Sequence, residues 1–285
     1  MAVLSIQSHV SAGHVGNAVA VPALQFLGRD VWPVHTVLFS NHPGHGAFQG
    51  GAVPPDLVAA CLRGLADHAA WPAREAVLSG YLGQPGTAEA VAEVVDAARA
   101  DRAALPYLCD PVMGDTGPGL YVDDAIPEAM RRLLIPRATI ATPNRFELEV
   151  LTGRPCPDLA ATVEAARTLS ALGPPVVVVT SVDAPDGPEP SAARCLVTAG
   201  GAAWVVASPR LRFPQAPNGA GDLLAALFLH HWLLDPRPQV ALSAAVSGLF
   251  AVLEATVPTG GRELALLAGR AAMAEPARVW GPIRL

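Results

Sequence analysis

Val176-Val177-Val178-Val179-Thr180 is the stretch that decides the fold. Four consecutive β-branched residues with no polar alternation belong to a strand buried on both faces, and such strands occur in parallel sheets covered by helices on each side. On either side of this run, strand and helix patterns alternate. Upstream, short strands are expected at Val3 to Gln7, Val31 to Thr36, Ala76 to Leu78, Tyr107 to Cys109 and Thr139 to Ala141. Helical apolar spacing predicts helices at Ala18 to Leu27, Thr87 to Arg102 (with Thr87 as cap), Ile126 to Leu134, Asn144 to Thr152 and Leu159 to Leu172. Ser40 to Gly51 reads as a loop. Downstream, Asp183 to Ser191 reads as a proline-rich surface turn. Cys195 to Thr198 and Trp204 to Ala207 flank Gly200-Gly201 as a hairpin. A long apolar helix runs from Gly219 to Leu234, followed by two more helices and an irregular tail. The alternation predicts an α/β fold of three layers, with a mostly parallel central sheet and helices on both faces. No repeat or low-complexity linker divides the chain, so residues 1–285 are expected to form one domain.

Composition narrows the function. The chain has 285 residues, half of them apolar and 15% charged, with a net charge of −6. No basic run is present, so a nucleic-acid partner is not expected. All 19 basic residues are arginine. A P-loop nucleotide enzyme needs its lysine on the phosphates, and a pyridoxal-phosphate enzyme needs a lysine for its Schiff base; both classes are excluded. The four cysteines are scattered and form no C-x-x-C pair, which argues against a zinc site and for reduced thiols in a cytoplasmic protein. The first ten residues lack a basic region and a long apolar stretch, so no signal peptide is expected. No uninterrupted apolar segment approaches 18 residues, so no membrane partner is expected either.

Polar residues gather at the carboxyl ends of the expected strands, where ligands bind in such sheets. Ser8 follows the first, Asp110 the Tyr107 strand, Thr142 the Thr139 strand and Thr180 the valine run. Pro217-Asn-Gly-Ala-Gly-Asp222 opens the long apolar helix. Glycines there allow close backbone approach, and first-turn amides bind anions. The helix dipole is expected to favour the ionised form of Asp222; a plain helix start would also carry an acid here. Asp110-Pro-Val-Met-Gly-Asp115 places two carboxylates in one loop. That suits Mg²⁺ and equally suits local turns. Thr142-Pro-Asn-Arg-Phe-Glu147 fits a capping box, with Glu147 either a cap or an acid aimed at a metal-bound phosphate. His42 and His45 have loop spacing and make a weak metal pair. His230 and His231 lie on the apolar helix that follows Asp222, and at least one of them reads as a tolerated helix residue.

In this order, the motifs resemble the pyridoxal kinase branch of the ribokinase-like superfamily of vitamin kinases. The resemblance rests on Ser5-Ile-Gln-Ser-His-Val10, Gly13-His-Val-Gly-Asn17, Phe39-Ser-Asn-His42, Ser79-Gly-Tyr-Leu-Gly83, Asp110-Pro-Val-Met-Gly-Asp115, Leu120-Tyr-Val122, Thr142-Pro-Asn-Arg-Phe-Glu-Leu-Glu149, Val177-Val-Val-Thr-Ser181 and Gly219-Ala-Gly-Asp222. It implies ATP-dependent phosphorylation of the 5′-hydroxymethyl group of pyridoxal. Asp222 would be the catalytic base, and Gly219, Ala220 and Gly221 the anion hole. Asp110, Asp115, Thr142, Glu147 and Thr180 would serve ATP and Mg²⁺, with Asp110 and Glu147 at the metal. Ser8, Phe39, His42, Pro43, Gly44 and Tyr81 would line the substrate pocket. The resemblance also implies a homodimer and a monovalent cation such as K⁺. Three positions depart from the usual pattern: Pro43 in place of threonine, His45 in place of tyrosine and Ala220 in place of threonine. The same fold also serves hydroxymethylpyrimidine kinases, and a catalytically quiet pyridoxal-phosphate binder is a reading of another class.

Overall fold

The computed structural model describes residues 1–182 and 192–285; the turn expected at 183–191 lies outside the described residues. In chain order the elements are β1 (Ala2–Ala12), α1 (Asn17–Phe26), β2 (Asp30–Asn41), β3 (Gly50–Ala52), α2 (Pro55–Ala66), β4 (Arg74–Ser79), α3 (Thr87–Ala100) and β5 (Tyr107–Cys109). A small hairpin, β6 (Gly114–Asp115) and β7 (Gly119–Leu120), precedes α4 (Ile126–Ala129), β8 (Ile140–Ala141), α5 (Arg145–Thr152), α6 (Leu159–Ser170) and β9 (Val176–Val179). Then come β10 (Ala192–Ala199), β11 (Ala202–Pro209), α7 (Ala220–Leu234), α8 (Pro238–Thr256), α9 (Leu266–Ala274) and β12 (Ile283–Arg284).

One sheet takes strands from both ends of the chain, in the order β12-β11-β10-β9-β8-β5-β4-β1-β2-β3. The pairs from β9 to β2 are all parallel. The edge strands β3 and β10 to β12 pair antiparallel. The valine run behaves as its composition requires. Val177 and Val179 join the core that contains Val58 and Leu62 of α2, Val91 and Val95 of α3 and Leu169 of α6. Val176 and Val178 join the opposite core, which contains Leu24 of α1, Phe228 of α7 and Leu242 of α8. Burying each such side chain is worth roughly 1.5–3 kcal/mol, so a polar substitution anywhere in the run would break one of two cores.

Helix α7 is buried over every residue from Leu223 to His230. A helix apolar on all sides belongs inside the fold, and its start is therefore held firmly at the sheet edge. The segment Pro238–Thr259 is long and apolar enough to cross a membrane by length and composition alone, but 56% of its most apolar stretch is buried. It packs against α7, α9, β10 and β11, as a core helix does.

Several sequence expectations are corrected. Residues 40–51 are not one loop. Ser40 and Asn41 end β2, and Gly50–Ala52 adds a short antiparallel strand to it. Helix α2 was not foreseen, although Pro55 at its first turn and Leu57, Val58 and Leu62 carry the signal. Thr87 is the first residue of α3 rather than its cap; Gly86 holds that position without a side-chain bond. The Ile126 helix changes to a π-helical stretch at Met130–Leu134. The tail is not wholly irregular, since β12 pairs with β11 through Val205 and Trp204.

Candidate active site

The catalytic edge is built by the ends of adjacent parallel strands. Asp110 leaves β5, and its amide donates to the Ser79 carbonyl at the end of β4. Thr142 leaves β8, and its hydroxyl donates to Asp110 Oδ1 at 2.9 Å. Thr180 leaves β9; its carbonyl accepts from the Arg145 amide, and its own amide donates to Pro143. The next residue, Ser181, has φ of +53°, an uncommon conformation for a non-glycine residue. It marks a strained exit from β9 that the sequence did not announce.

Glu147 forms the capping box that its spacing predicted. Its amide donates to Asn144 Oδ1 at 2.8 Å, and its Oε2 accepts from the Asn144 amide at 2.8 Å. Its Oε1 accepts from the Met113 amide at 3.0 Å. Burial pushes the Glu147 pKa up to about 8, with the amides of Asn144, Met113 and Gly114 opposing the rise. Asp115 follows the turn reading: it is exposed, and its carboxylate accepts from the Thr116 amide at 2.7 Å.

Asp110 is the least compensated member of the group. Its Oδ2 is buried and has no hydrogen-bond partner among the described residues. Burial, then the charges of Glu147 and Asp222, push its pKa well above the ordinary carboxylate range. Buried carboxylates that repel one another are relieved by protonation or by a nearby cation. Mg²⁺ fits this donor set: it favours one or two carboxylates completed by phosphate oxygens and water.

Asp222 stands across this edge at the start of α7. Gly219 precedes it with φ of +81°. A Cβ on Gly219 would fall inside the van der Waals radius of the His14 carbonyl oxygen, so only glycine fits. The first bond of the helix ladder runs from the Leu223 amide to the Gly219 carbonyl at 2.9 Å. The amides of Ala220, Gly221 and Asp222 precede that ladder and are oriented for an anion. A Cβ on Gly221 would meet nothing within 4 Å, so the turn is open on that side. The Asp222 carboxylate lies beside the Gly16 amide, which opposes the rise of its pKa and is a neighbour that no local sequence signal identified. Its pKa is raised, contrary to the expectation from the dipole. Loss of surrounding water outweighs the Gly16 amide, although one edge of the side chain still reaches solvent. A raised carboxylate is the better proton acceptor near neutral pH.

The pocket residues occupy the same edge on its other side. Ser8 lies within β1 rather than after it, at the register shift between Gln7 and His9. Phe39 pairs with Val10 in the neighbouring strand, and its ring packs on Phe48 at 4.8 Å between centroids. Tyr81 follows β4, and its carbonyl accepts from the Thr36 hydroxyl at 2.5 Å. Pro43, Gly44 and His45 form one 3-10 turn, which His42 caps by accepting from the Gly44 amide at 3.1 Å. Sequence reasoning missed Gly16, Arg262 and Glu263 at this edge.

This mostly parallel sheet, with a carboxylate at a glycine-rich helix start and an acidic loop opposite, defines a small-molecule kinase of the ribokinase-like class. Residues 33–263 match the family described as phosphomethylpyrimidine kinase. The chain is 41% identical to the pyridoxal kinase PdxY of Corynebacterium diphtheriae, over 97% of this chain and 96% of that protein. It is also 41% identical to pyridoxal kinase PdxY of Deinococcus radiodurans, over 99% and 96% respectively. The structure of pyridoxal kinase from Leishmania donovani in complex with ADP and pyridoxamine superposes with a TM-score of 0.91 at 30% identity, covering 100% of this chain and 99% of that one. The chain belongs to the pyridoxal kinase family.

Proposed function

We propose that the chain transfers the terminal phosphoryl group of ATP to the 5′-hydroxymethyl group of pyridoxal, with Asp222 as the base. The observation that carries the reading is the Asp222 carboxylate, set next to the Gly16 amide at the open first turn of α7. Phosphoryl transfer requires mainly alignment and neutralisation of charge, with little covalent help. Asp222 orients the alcohol and takes its proton as the oxygen–phosphorus bond forms. The amides of Ala220, Gly221 and Asp222 hold the charge on the transferred oxygens. Asp110 would hold Mg²⁺ through its unpartnered Oδ2, while Oδ1 already accepts from the Thr142 hydroxyl. Glu147, whose oxygens already accept backbone amides, would act at the metal through water. Bound there, Mg²⁺ would neutralise the β- and γ-phosphates. Ser8, Phe39, His42, Gly44 and Tyr81 are assigned to the pyridoxal side, Thr180 to the nucleotide side.

A second acceptor is tested because the matching family is described by a pyrimidine. ATP consumption should be measured with pyridoxal, with hydroxymethylpyrimidine and with neither. Consumption that depends on pyridoxal supports the reading. Consumption with the pyrimidine alone, or with neither acceptor, would replace it.

A further inference from the structure

A second polar cluster joins three turns that lie far apart in the chain. Glu263, just before α9, accepts from the His14 amide through Oε2 at 2.6 Å. Its Oε1 pairs with His45 Nε2 at 2.6 Å. The carboxylate lies directly over Gly13, where φ is +121° and a Cβ would sit 2.7 Å from Oε2. The neighbouring Arg262 donates its guanidinium to the Gly44 carbonyl. The Arg262 carbonyl accepts from the Asn218 amide at 2.8 Å, and Asn218 Nδ2 is 3.5 Å from His45 Nε2.

All three turns bear on Asp222. Asn218 immediately precedes Gly219. The 13–16 turn presses the His14 carbonyl onto Gly219 and sends the Gly16 amide to the Asp222 carboxylate. The 43–45 turn stands beside Asn218, next to the start of α7. We propose that Glu263 is a positioning residue, locking the 13–16 and 43–45 turns onto α7 so that the acceptor wall and the base are set as one unit. The inference rests on the assignment of Asp222 as the base. A charge-assisted hydrogen bond holds geometry well. The Glu263 and His45 side chains are 31% and 32% exposed, and such pairs add little to overall stability. Their effect belongs in alignment, where small displacements are costly.

The test uses Glu263→Gln, His45→Ala, the double variant and His45→Gln, each checked for melting temperature. Amide hydrogen exchange should quicken in peptides covering residues 13–17 and 42–46 of Glu263→Gln, and not in β4 or β5. The KM for pyridoxal should rise roughly tenfold, the scale of one charge-assisted hydrogen bond, with the KM for ATP unchanged. His45→Ala should raise the pyridoxal KM in the wild-type background and add little to Glu263→Gln. His45→Gln, which keeps an N–H donor, should retain most of the affinity. Unchanged exchange in a folded Glu263→Gln protein would overturn the inference, as would a parallel rise in both KM values. If the wild type does not phosphorylate pyridoxal, the functional reading fails, and the exchange result still decides the inference.

Discussion

The amide of Gly16 lies beside the carboxylate of Asp222 and favours its ionised form, across more than two hundred residues of chain. Gly16 has φ of +52°, and a Cβ there would collide with the hydroxyl and carbonyl oxygens of Ser8. One glycine thus links a residue of the pocket strand to the base at the helix start. The alignment of acceptor and base is a property of the β1–α1 turn as much as of α7.

The packing of His14 on Gly219 makes the first prediction. Gly219→Ala places a methyl group against the His14 carbonyl in a left-handed conformation. The conformational cost alone is roughly 1–2 kcal/mol, and relief of the clash must move the 13–16 turn. The variant should melt lower, and kcat should fall by more than the loss of folded protein accounts for. Gly221→Ala, where a Cβ meets open space, should leave the melting temperature near that of the wild type.

Asp110 makes the second. With Mg²⁺, Asp110→Asn should raise the KM for ATP by at least about tenfold, the scale on which metal affinity responds to a weakened site. Pyridoxal binding measured without nucleotide should hardly change. Without Mg²⁺ the variant should be at least as stable as the wild type, because it removes a buried carboxylate that its neighbours repel. Loss of pyridoxal binding with normal nucleotide kinetics would mean that the two halves of the site are reversed.

His230 makes the third, away from the site. It lies on α7, accepts from Arg29 Nε through Nδ1 at 2.9 Å, and its pKa is held down from 6.5 to about 4 by burial and by the Arg29 charge. Between those values the unfolded chain takes a proton that the folded chain refuses, so stability falls as pH drops through 6.5 and levels off near 4. Urea unfolding should show the wild type losing roughly 2 kcal/mol more than His230→Gln between pH 7 and pH 5. A difference that does not change with pH would assign His230 no such role.

Local chemistry made much of this legible in the sequence. The valine run identified the buried strand, the capping box placed Glu147, and the glycines before Asp222 marked the open helix start. What escaped has long-range causes. Glu263 is one acid in a glycine-rich segment, and its partners His14 and His45 are set beside it only by the sheet order. The raised pKa of Asp222 comes from its burial in the folded chain, whereas the dipole argument considers only its own helix. Ser8 was placed beyond β1 because a register shift inside a strand leaves no mark in residue types. Strand β3 is Gly-Gly-Ala, which has no β-propensity of its own, and it forms because β2 offers it an edge.

The central claim is tested most directly by Asp222→Asn. Amide and carboxylate have nearly the same shape, so the fold and the KM for ATP should survive. Loss of a general base costs about two to four powers of ten in kcat. The pyridoxal KM should move far less, since the proton is accepted mainly in the transition state. The measurement is steady-state pyridoxal phosphorylation with a melting-temperature control. A well-folded variant with kcat lowered at least about a hundredfold is the predicted result; near-normal kcat would remove Asp222 from the mechanism and contradict the account.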